Sequence, residues 1–533
     1  MNFESVTLDT VSTLTASQLL AQDTLDDLYE IEAGAERDRV KSILQVHAKS
    51  LGIEKEFKAT LKAYDKEDAE LSRPVKVLPS YFYQNDRMEW QISCPLLAKY
   101  IREHEHYAFI RNGGKRIANR YWYRDGCYRR VSDDEIKGII KSYIVDHMLT
   151  ALKMRDVEEV FKDLITDATF YEADSMDADE NIINFQNGLL NLKTMQLMPH
   201  TPFNLSTIQI PCNWNPDATD APVFFRFMDE LTNRNEEMQE LLLEFMGACL
   251  SNIKASRFKK AMFMVGAGNT GKSQLRALTE QLLGADNFCS IELPDLEGNR
   301  FASSQLLGKR LAGSSDTGFL PVEQMKIFKQ ATGGDTIRME HKGIDGFDGH
   351  FNGFFWFCMN ELPRFGGDRG AWVYERIMIV RCDNVIPPER QDKQLCDKMY
   401  AERETIVRMA IEVFSRAVKR GYKFAEPDSV ISERAHYEVE NNPVLKFFFD
   451  CCEMRDGSTI RDEQTTGTIR SAYKSWCADN RYIPVTSQRF NKEISDHLKC
   501  SVEAIQTRTN SARFYTFKLT DEARRDYLYH SDA

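Results

Sequence analysis

Apolar residues recur at three- and four-residue spacing through the first 75 positions, as in TASQLLAQDTLDDLYEIEAGAERDRVKSILQVHAKSLG, and many of the intervening positions are acidic. That period predicts amphipathic helices. Pro74 and Pro79 bracket a linker. Beyond it, a short apolar helix around Leu96–Ile101 precedes two runs, YAFIRN and RYWYRDGCYRRV, that read as strands with Asp125-Gly126 as a turn. Helical periodicity returns between Asp133 and Leu164. The run IINFQNGLLN (Ile182–Asn191) and a proline-bearing loop over Cys212–Pro222 lead into a helix predicted over Val223–Leu250.

The centre of the chain changes character. AMFMV (Ala261–Val265) is five apolar residues in a row, the pattern of a parallel strand buried on both faces. A glycine-rich loop and the helical stretch SQLRALTEQLL follow. Arg310–Ser314 reads as a second buried strand, VEQMKIFKQAT as a helix, Thr336–Gly343 as a hairpin with cations near its tip, and Phe354–Met359 as a very apolar strand. A further strand, Arg376–Val380, comes after the loop Gly366-Gly367-Asp368-Arg369-Gly370. Short helices then reach Tyr437, and Asn441-Asn442-Pro443 marks a boundary. The final ninety or so residues read as three helices (VLKFFFDCC, IRSAYKSWCADN, SQRFNKEISDHL) and two closing strands (VEAIQTR, ARFYTFKL), the order of a winged helix. No internal repeat is present.

Composition narrows the class without deciding it. The 533 residues are 42% hydrophobic and 28% charged, with no low-complexity tract. No stretch approaches the roughly 20 apolar residues of a membrane span, and MNFESVTLDT lacks the basic and apolar regions of a signal peptide, so a cytoplasmic protein with no membrane partner is expected. The 12 cysteines contain no CxxC pair, which leaves reduced, mostly buried thiols as the plain expectation. A net charge of −12 argues against wrapping nucleic acid over the whole surface, but not against a few cations facing one channel.

Candidate chemistry is concentrated after AMFMV. Gly266, Ala267, Gly268, Asn269, Thr270, Gly271, Lys272 and Ser273 fit G-x-x-x-x-G-K-[ST] in full, with Gln274 the next helical residue. Glycines let backbone N–H groups close around the β- and γ-phosphates of ATP, Lys272 neutralises them, and the Ser273 hydroxyl suits Mg²⁺. The helix that follows turns its N-terminus toward the anion. Four further features arrive in order. Asp316 follows the second strand and suits the metal's water shell. Arg338, His341 and Lys342 decorate the hairpin. Asn360 ends the apolar strand, where a polar amide can orient water. Arg376 opens the last strand, where it can reach the triphosphate of a neighbouring subunit. Each has a plain structural reading as a cap, a turn or a solvated face; the ordered set is the signal.

On these residues the chain resembles superfamily III helicases of the phage and plasmid primase-helicase group, which includes the poxvirus-type enzymes. The resemblance spans about Tyr81–Leu528 and is sharpest over Met264–Ser273, Gly308–Thr317, Lys329–Asp335, Phe357–Pro363 and Tyr374–Ile379; NFQNGLLN (Asn184–Asn191) resembles the signature of the domain preceding the helicase. It implies a P-loop AAA+-like ATPase with a parallel sheet, preceded by an α+β and helical N-terminal region and followed by a winged-helix domain. Lys272 and Ser273 become the Walker A pair, Asp316 the Walker B carboxylate, Asn360 the polar sensor, Arg376 an arginine finger supplied in trans, and Arg338, His341 and Lys342 the DNA-gripping hairpin. Single-stranded and forked DNA, a homo-oligomeric ring, usually a hexamer, a separate primase or loader, and 3′ to 5′ movement belong to the same implication. Two departures stand out. Ser315 leaves one acid where many ATPases have two, with Glu323 and Glu340 as candidates for the second. Upstream of NFQNGLLN no strand-borne Asp-x-Asp pair is evident, so a helicase without its own primase is expected.

The domains expected are a helical region (1–75), an α+β domain (80–225), the ATPase core (226–400), a helical connector (401–440) and the winged helix (441–530). Three functions compete: a ring helicase acting in replication of a phage, plasmid or other mobile element, a small-molecule kinase, and a DNA-binding initiator whose ATPase serves assembly.

Overall fold

The computed structural model describes the chain apart from residues 1–7, 32–33, 72–77, 112–116, 146–152, 167, 169, 173–174, 317–321, 323, 341–345, 364, 366–370, 456–463, 509–511 and 529–533. The linker expected around Pro74, the glycine-rich loop at 366–370, His341, Lys342 and Glu323 therefore lie outside the described residues. The chain divides into two compact units, residues 1–96 with 145–152, and residues 97–144 with 153–533.

The first unit is helical up to its closing strands, as the periodicity predicts. Helices Gln22–Tyr29, Ala35–Ser50 and Glu54–Leu71 turn Leu25, Leu28, Val40, Leu44, Phe57 and Leu61 into one small core. Arg37 is held among them by Asp68 at 2.5 Å. Phe82–Gln84 and Trp90–Ile92 form a two-stranded ribbon.

The second unit begins with a four-stranded sheet in the order Cys127–Arg130, Ile117–Arg124, Tyr107–Arg111, Phe170–Glu172. The aromatic run serves its core: Trp122 is buried, stacks on Tyr107 at 4.9 Å and donates its indole N–H to Glu105 at 2.8 Å. NFQNGLLN is a tight hairpin, Ile182–Phe185 with Gly188–Asn191, extended by Gln196–Met198. Its Asn184 donates to Gly126 O at 2.8 Å and ties the two sheets together.

One predicted helix proves to be two. Pro222–Thr232 and Glu236–Leu250 are separated because Asn233 and Arg234 take left-handed φ of 51° and 60°. Asn235 then caps the next helix by accepting from Met238 N at 2.9 Å. Asparagine tolerates the left-handed region and is a strong N-cap. The stretch Thr-Asn-Arg-Asn thus carried a break that hydrophobic period alone does not show.

The centre is a five-stranded parallel sheet: β1 (Ala261–Val265), β2 (Phe288–Ser290), β3 (Leu311–Gly313), β4 (Phe354–Met359) and β5 (Ile377–Arg381), in the order β2-β3-β4-β1-β5. Side chains alternate faces along each strand, and this sorts them into two cores. Met262, Met264, Leu311, Phe354, Trp356, Cys358, Met378 and Val380 pack with the helices Pro222–Thr232, Glu236–Leu250 and Arg403–Lys419. Phe263, Val265, Ala312, Phe355, Phe357, Ile377 and Ile379 pack on the other side with α2 (Lys326–Gly333) and the hairpin Ile337–Met339/Phe347–Gly349. The predicted helix VEQMKIFKQAT starts four residues late, since Val322 instead forms a lone parallel bridge to Phe365.

The last segment has its own core. Helices Pro443–Cys451, Thr466–Asp479 and Ser487–His497 enclose Phe447, Tyr473, Trp476 and Phe490. The stretch ARFYTFKL is two strands, Arg513–Tyr515 pairing with Gln506–Arg508 and Phe517–Leu519 pairing with Cys452–Met454. Among the described residues no helix is long and apolar enough to cross a membrane.

Arg310 locks the parallel sheet to the helix before it. Its buried guanidinium donates to Ile253 O at 2.7 Å, Asn352 O at 2.9 Å and Ala248 O at 3.5 Å. Arg310→Ala removes these three bonds, leaves a buried gap in place of the guanidinium and is expected to cost about 3 kcal/mol. The check is the apparent midpoint of thermal unfolding, with Arg310→Lys recovering only part because it lacks the planar fork.

Candidate active site

Parallel strands end on one edge of a sheet, and a crevice opens where the strand order reverses. Here the chain leaves β1 for β2, works back through β3 and β4, and then places β5 on the far side of β1. The loop after β1 therefore falls at the switch point.

Gly266 leaves the sheet at a φ of 154°; a Cβ there would stand 2.0 Å from Cys382 O. Gly271, at φ 95°, joins the loop to α1 (Lys272–Leu283) beside the Phe227 ring. Only glycine suits either position at low cost. Ala267, Gly268 and Asn269 are exposed, and a Cβ on Gly268 would meet nothing within 4 Å. Lys272 is folded back onto the loop, donating to Gly266 O and Ala267 O at 2.7 Å each and to Thr270 Oγ1 at 3.1 Å. Gln274 is exposed on the first turn, its N–H bonded to Gly271 O at 3.0 Å.

The ends of β3 and β4 stand beside this loop. Gly266 N donates to Met359 O at 3.3 Å, which puts exposed Asn360 next to the loop's start, and Cys358 N donates to Ser314 O at 2.9 Å. Ser273 Oγ donates to Ser315 O at 2.9 Å, one residue before exposed Asp316. The structure thus brings Lys272, Ser273, the Asp316-bearing tip and Asn360 to one edge. Glu340 lies elsewhere, paired with Arg300 at 3.5 Å. Among the described residues no cluster of three or more His, Cys, Asp or Glu forms a metal site by itself.

Arg376 sits at the opposite edge. Its carbonyl accepts from Ala261 N at 2.7 Å, at the start of β1. The length of a five-residue strand, about 16 Å, separates that point from the phosphate loop. Its guanidinium donates to Lys329 O at 3.0 Å and Thr332 Oγ1 at 2.7 Å, at the C-terminal end of α2, where the helix dipole favours a cation. Burial lowers its pKa, and Asp335 counters this. Arg338 is exposed on the hairpin, 3.5 Å from Asp348.

Sequence reading missed the supports of the loop. Asn384 donates to Glu230 O at 2.7 Å and Ile386 N donates to Asn269 O at 2.9 Å, so the segment after β5 straps the loop. Beside this strap is an open cleft of about 580 Å³ lined by Arg226, Asp229, Glu230, Asn233, Arg234 and Asn384. Arg276 was missed as well. It is fully buried, donating to Gly313 O at 3.0 Å and Ser315 Oγ at 3.1 Å, with Glu280 Oε1 at 2.8 Å. Its signal was a charge on the apolar stripe shared with Thr279 and Leu283. In the last segment, the third helix carries Gln488, Arg489, Asn491 and Lys492, residue types that suit phosphate and groove contacts or a solvated face; Gln488 and Lys492 are exposed, whereas Arg489 pairs with Glu493 at 3.2 Å and Asn491 accepts from Tyr515 at 2.5 Å.

Sequence profiles of known families match three stretches of the chain: D5 N terminal like over residues 79–233, a family of unknown function (DUF5906) over 264–375, and Poxvirus D5 protein-like over 439–528. The two D5 matches, one on each side of the parallel sheet, support the primase-helicase family. The expectation of a chain without its own primase gains no support, because the D5 N terminal like match covers the very region concerned. Two apo structures of the NrS-1 C-terminal region are 10% identical, with a TM-score of 0.42, over 79% of this chain and 97% of that one. A third, 9% identical with a TM-score of 0.38, covers 81% and 94%.

Proposed function

We propose that this protein is an ATP-dependent DNA helicase acting as a homo-oligomeric ring translocase in replication of a phage, plasmid or other mobile element. The observation that carries the reading is the two-edged sheet: Lys272, Ser273, Asp316 and Asn360 at one edge, and Arg376 at the other. The strand order β2-β3-β4-β1-β5 supports reading the sheet as an AAA+-like P-loop core, and the helix and strand order after Asn441 suits a winged helix. Movement 3′ to 5′ and a hexameric ring follow from the superfamily III resemblance.

The residues fit a magnesium–nucleotide. Gly268 faces open space, α1 begins directly after the loop with Lys272 and Ser273 as its first two residues, and Ser273 is bonded to the residue before exposed Asp316. Lys272 exchanges its loop carbonyls for phosphate oxygens, which are anionic and stronger acceptors. The Ser273 hydroxyl and Asp316 would hold the cation, which would supply charge neutralisation on the phosphates. Asn360 would orient water. Arg376 stands too far from its own phosphate loop to act there, which leaves the neighbouring subunit's triphosphate as its target. Coupling ATP turnover to movement then follows, because each site is completed across an interface. Arg338 contacts DNA from the hairpin, His341 and Lys342 are assigned to the same task by the superfamily III resemblance alone, and a separate primase or loader acts as partner.

Three outcomes test this. Hydrolysis of ATP is expected to rise with single-stranded DNA and to accompany unwinding of a forked duplex, both lost in Lys272→Ala; hydrolysis indifferent to DNA transfers the reading to an assembly ATPase. Arg376→Ala is expected to keep nucleotide binding while kcat falls about 10³-fold or more. Mixing it with Lys272→Ala subunits restores part of the turnover, whereas inactivity in every mixture excludes action in trans. Lys342→Ala is expected to keep basal hydrolysis and lose its stimulation by DNA, measured as the ratio of the two rates.

A further inference from the structure

Asp316 has to stay in register with Ser273 although the two lie on different elements, and the strand ladders end before Asp316 is reached. β3 is only three residues long: β2 pairs with all three, Leu311 to Gly313, whereas β4 pairs just Phe354 with Leu311 and Phe355 with Ala312. The strand then turns at Gly313, φ 131°, where a Cβ would stand 2.1 Å from Trp356 O. Past that glycine, backbone bonds reach Gly313 O from Ile291 N at 2.8 Å and Ser314 O from Cys358 N at 2.9 Å. Ser315 is gripped from α1: its carbonyl accepts from Ser273 and its hydroxyl from Arg276. Arg276 spans the turn, with one arm on Gly313 O and the other on Ser315 Oγ, while Glu280 one helical turn on fixes the guanidinium. A fully buried guanidinium is costly unless it is paired, and here the partners of its two terminal nitrogens, Glu280 apart, belong to the tip that carries Asp316, while Nε has none among the described residues.

Resting on the ATPase reading above, we infer that Arg276 is a positioning residue: through Gly313 O and Ser315 Oγ it holds the Asp316-bearing tip of β3 against the phosphate-loop helix, so that Ser273 and Asp316 address one divalent cation. Arg276 touches neither nucleotide nor cation. Ser315, which stands where many ATPases carry a second acid, serves as the attachment point of this tether. Glu280 is its outer support, and burial raises the Glu280 carboxyl while Arg276 lowers it.

The test measures binding of a fluorescent ATP analogue by the full chain, with and without magnesium, beside thermal unfolding. Ser315→Ala deletes only the hydroxyl acceptor, and Arg276→Lys keeps the charge but not the fork. Both variants are expected to bind the analogue without magnesium within about twofold of the parent, and to lose about tenfold or more of the affinity that magnesium adds. The magnesium concentration for half-maximal hydrolysis rises in step. A purely structural role would lower the unfolding midpoint and leave the magnesium gain intact; that result in both variants, or in Ser315→Ala alone if Arg276→Lys does not fold, overturns the inference. A parent protein that binds no nucleotide, with or without magnesium, overturns the ATPase reading itself, and the tether's role falls with it.

Discussion

A strand buried on both faces and paired on both sides has no freedom to move, and β1 is such a strand. Its five residues are wholly buried, with β4 on one side and β5 on the other. Everything at the candidate site is fixed relative to it. The loop leaves at the sheet's carboxyl edge because the strands are parallel, and it turns sharply because Gly266 meets the backbone of Cys382. Two separate cores clamp the sheet, so the edge is a rigid bench on which short polar side chains are set out.

The same geometry divides the labour between two edges. Residues suited to phosphate and metal gather where the strands end, and Arg376 stands where β5 begins, bonded to the C-terminal end of α2. Both flanks also report to the sheet. Asn252 donates to Ile182 O at 2.9 Å, joining the hairpin module to the helix before β1, and Phe365 N donates to Asn441 Oδ1 at 3.3 Å at the entry to the last segment.

Much of this was legible beforehand. Short apolar runs and a full phosphate-loop pattern specify much of their structure locally: AMFMV and FFWFCM are short, wholly apolar and bounded by polar or glycine residues, as buried parallel strands are, and the glycines at 266 and 271 announce backbone that other residues avoid. What pattern reading missed has a common cause. The break at Asn233–Asn235 depends on two left-handed residues rather than on hydrophobic period, and the late start of α2 depends on Val322 pairing with a residue 43 positions away, from 365 − 322. ARFYTFKL reads as one strand, but its halves pair with different partners.

By itself the sequence determined most of the apolar strands and helices and the chemistry available to them, because period, apolar runs and glycine placement act over a few residues. It placed Lys272 and Ser273 at the head of a helix and offered Asp316, Asn360 and Arg376 as candidates. Tertiary structure alone decided which of them share an edge, because that follows from strand order, a property of contacts between residues a hundred positions apart. It also decided the role of Arg276, whose acceptors lie 37 and 39 residues away on β3 and its tip. A charge on an apolar helix stripe says only that something must satisfy it; the fold supplies the partner.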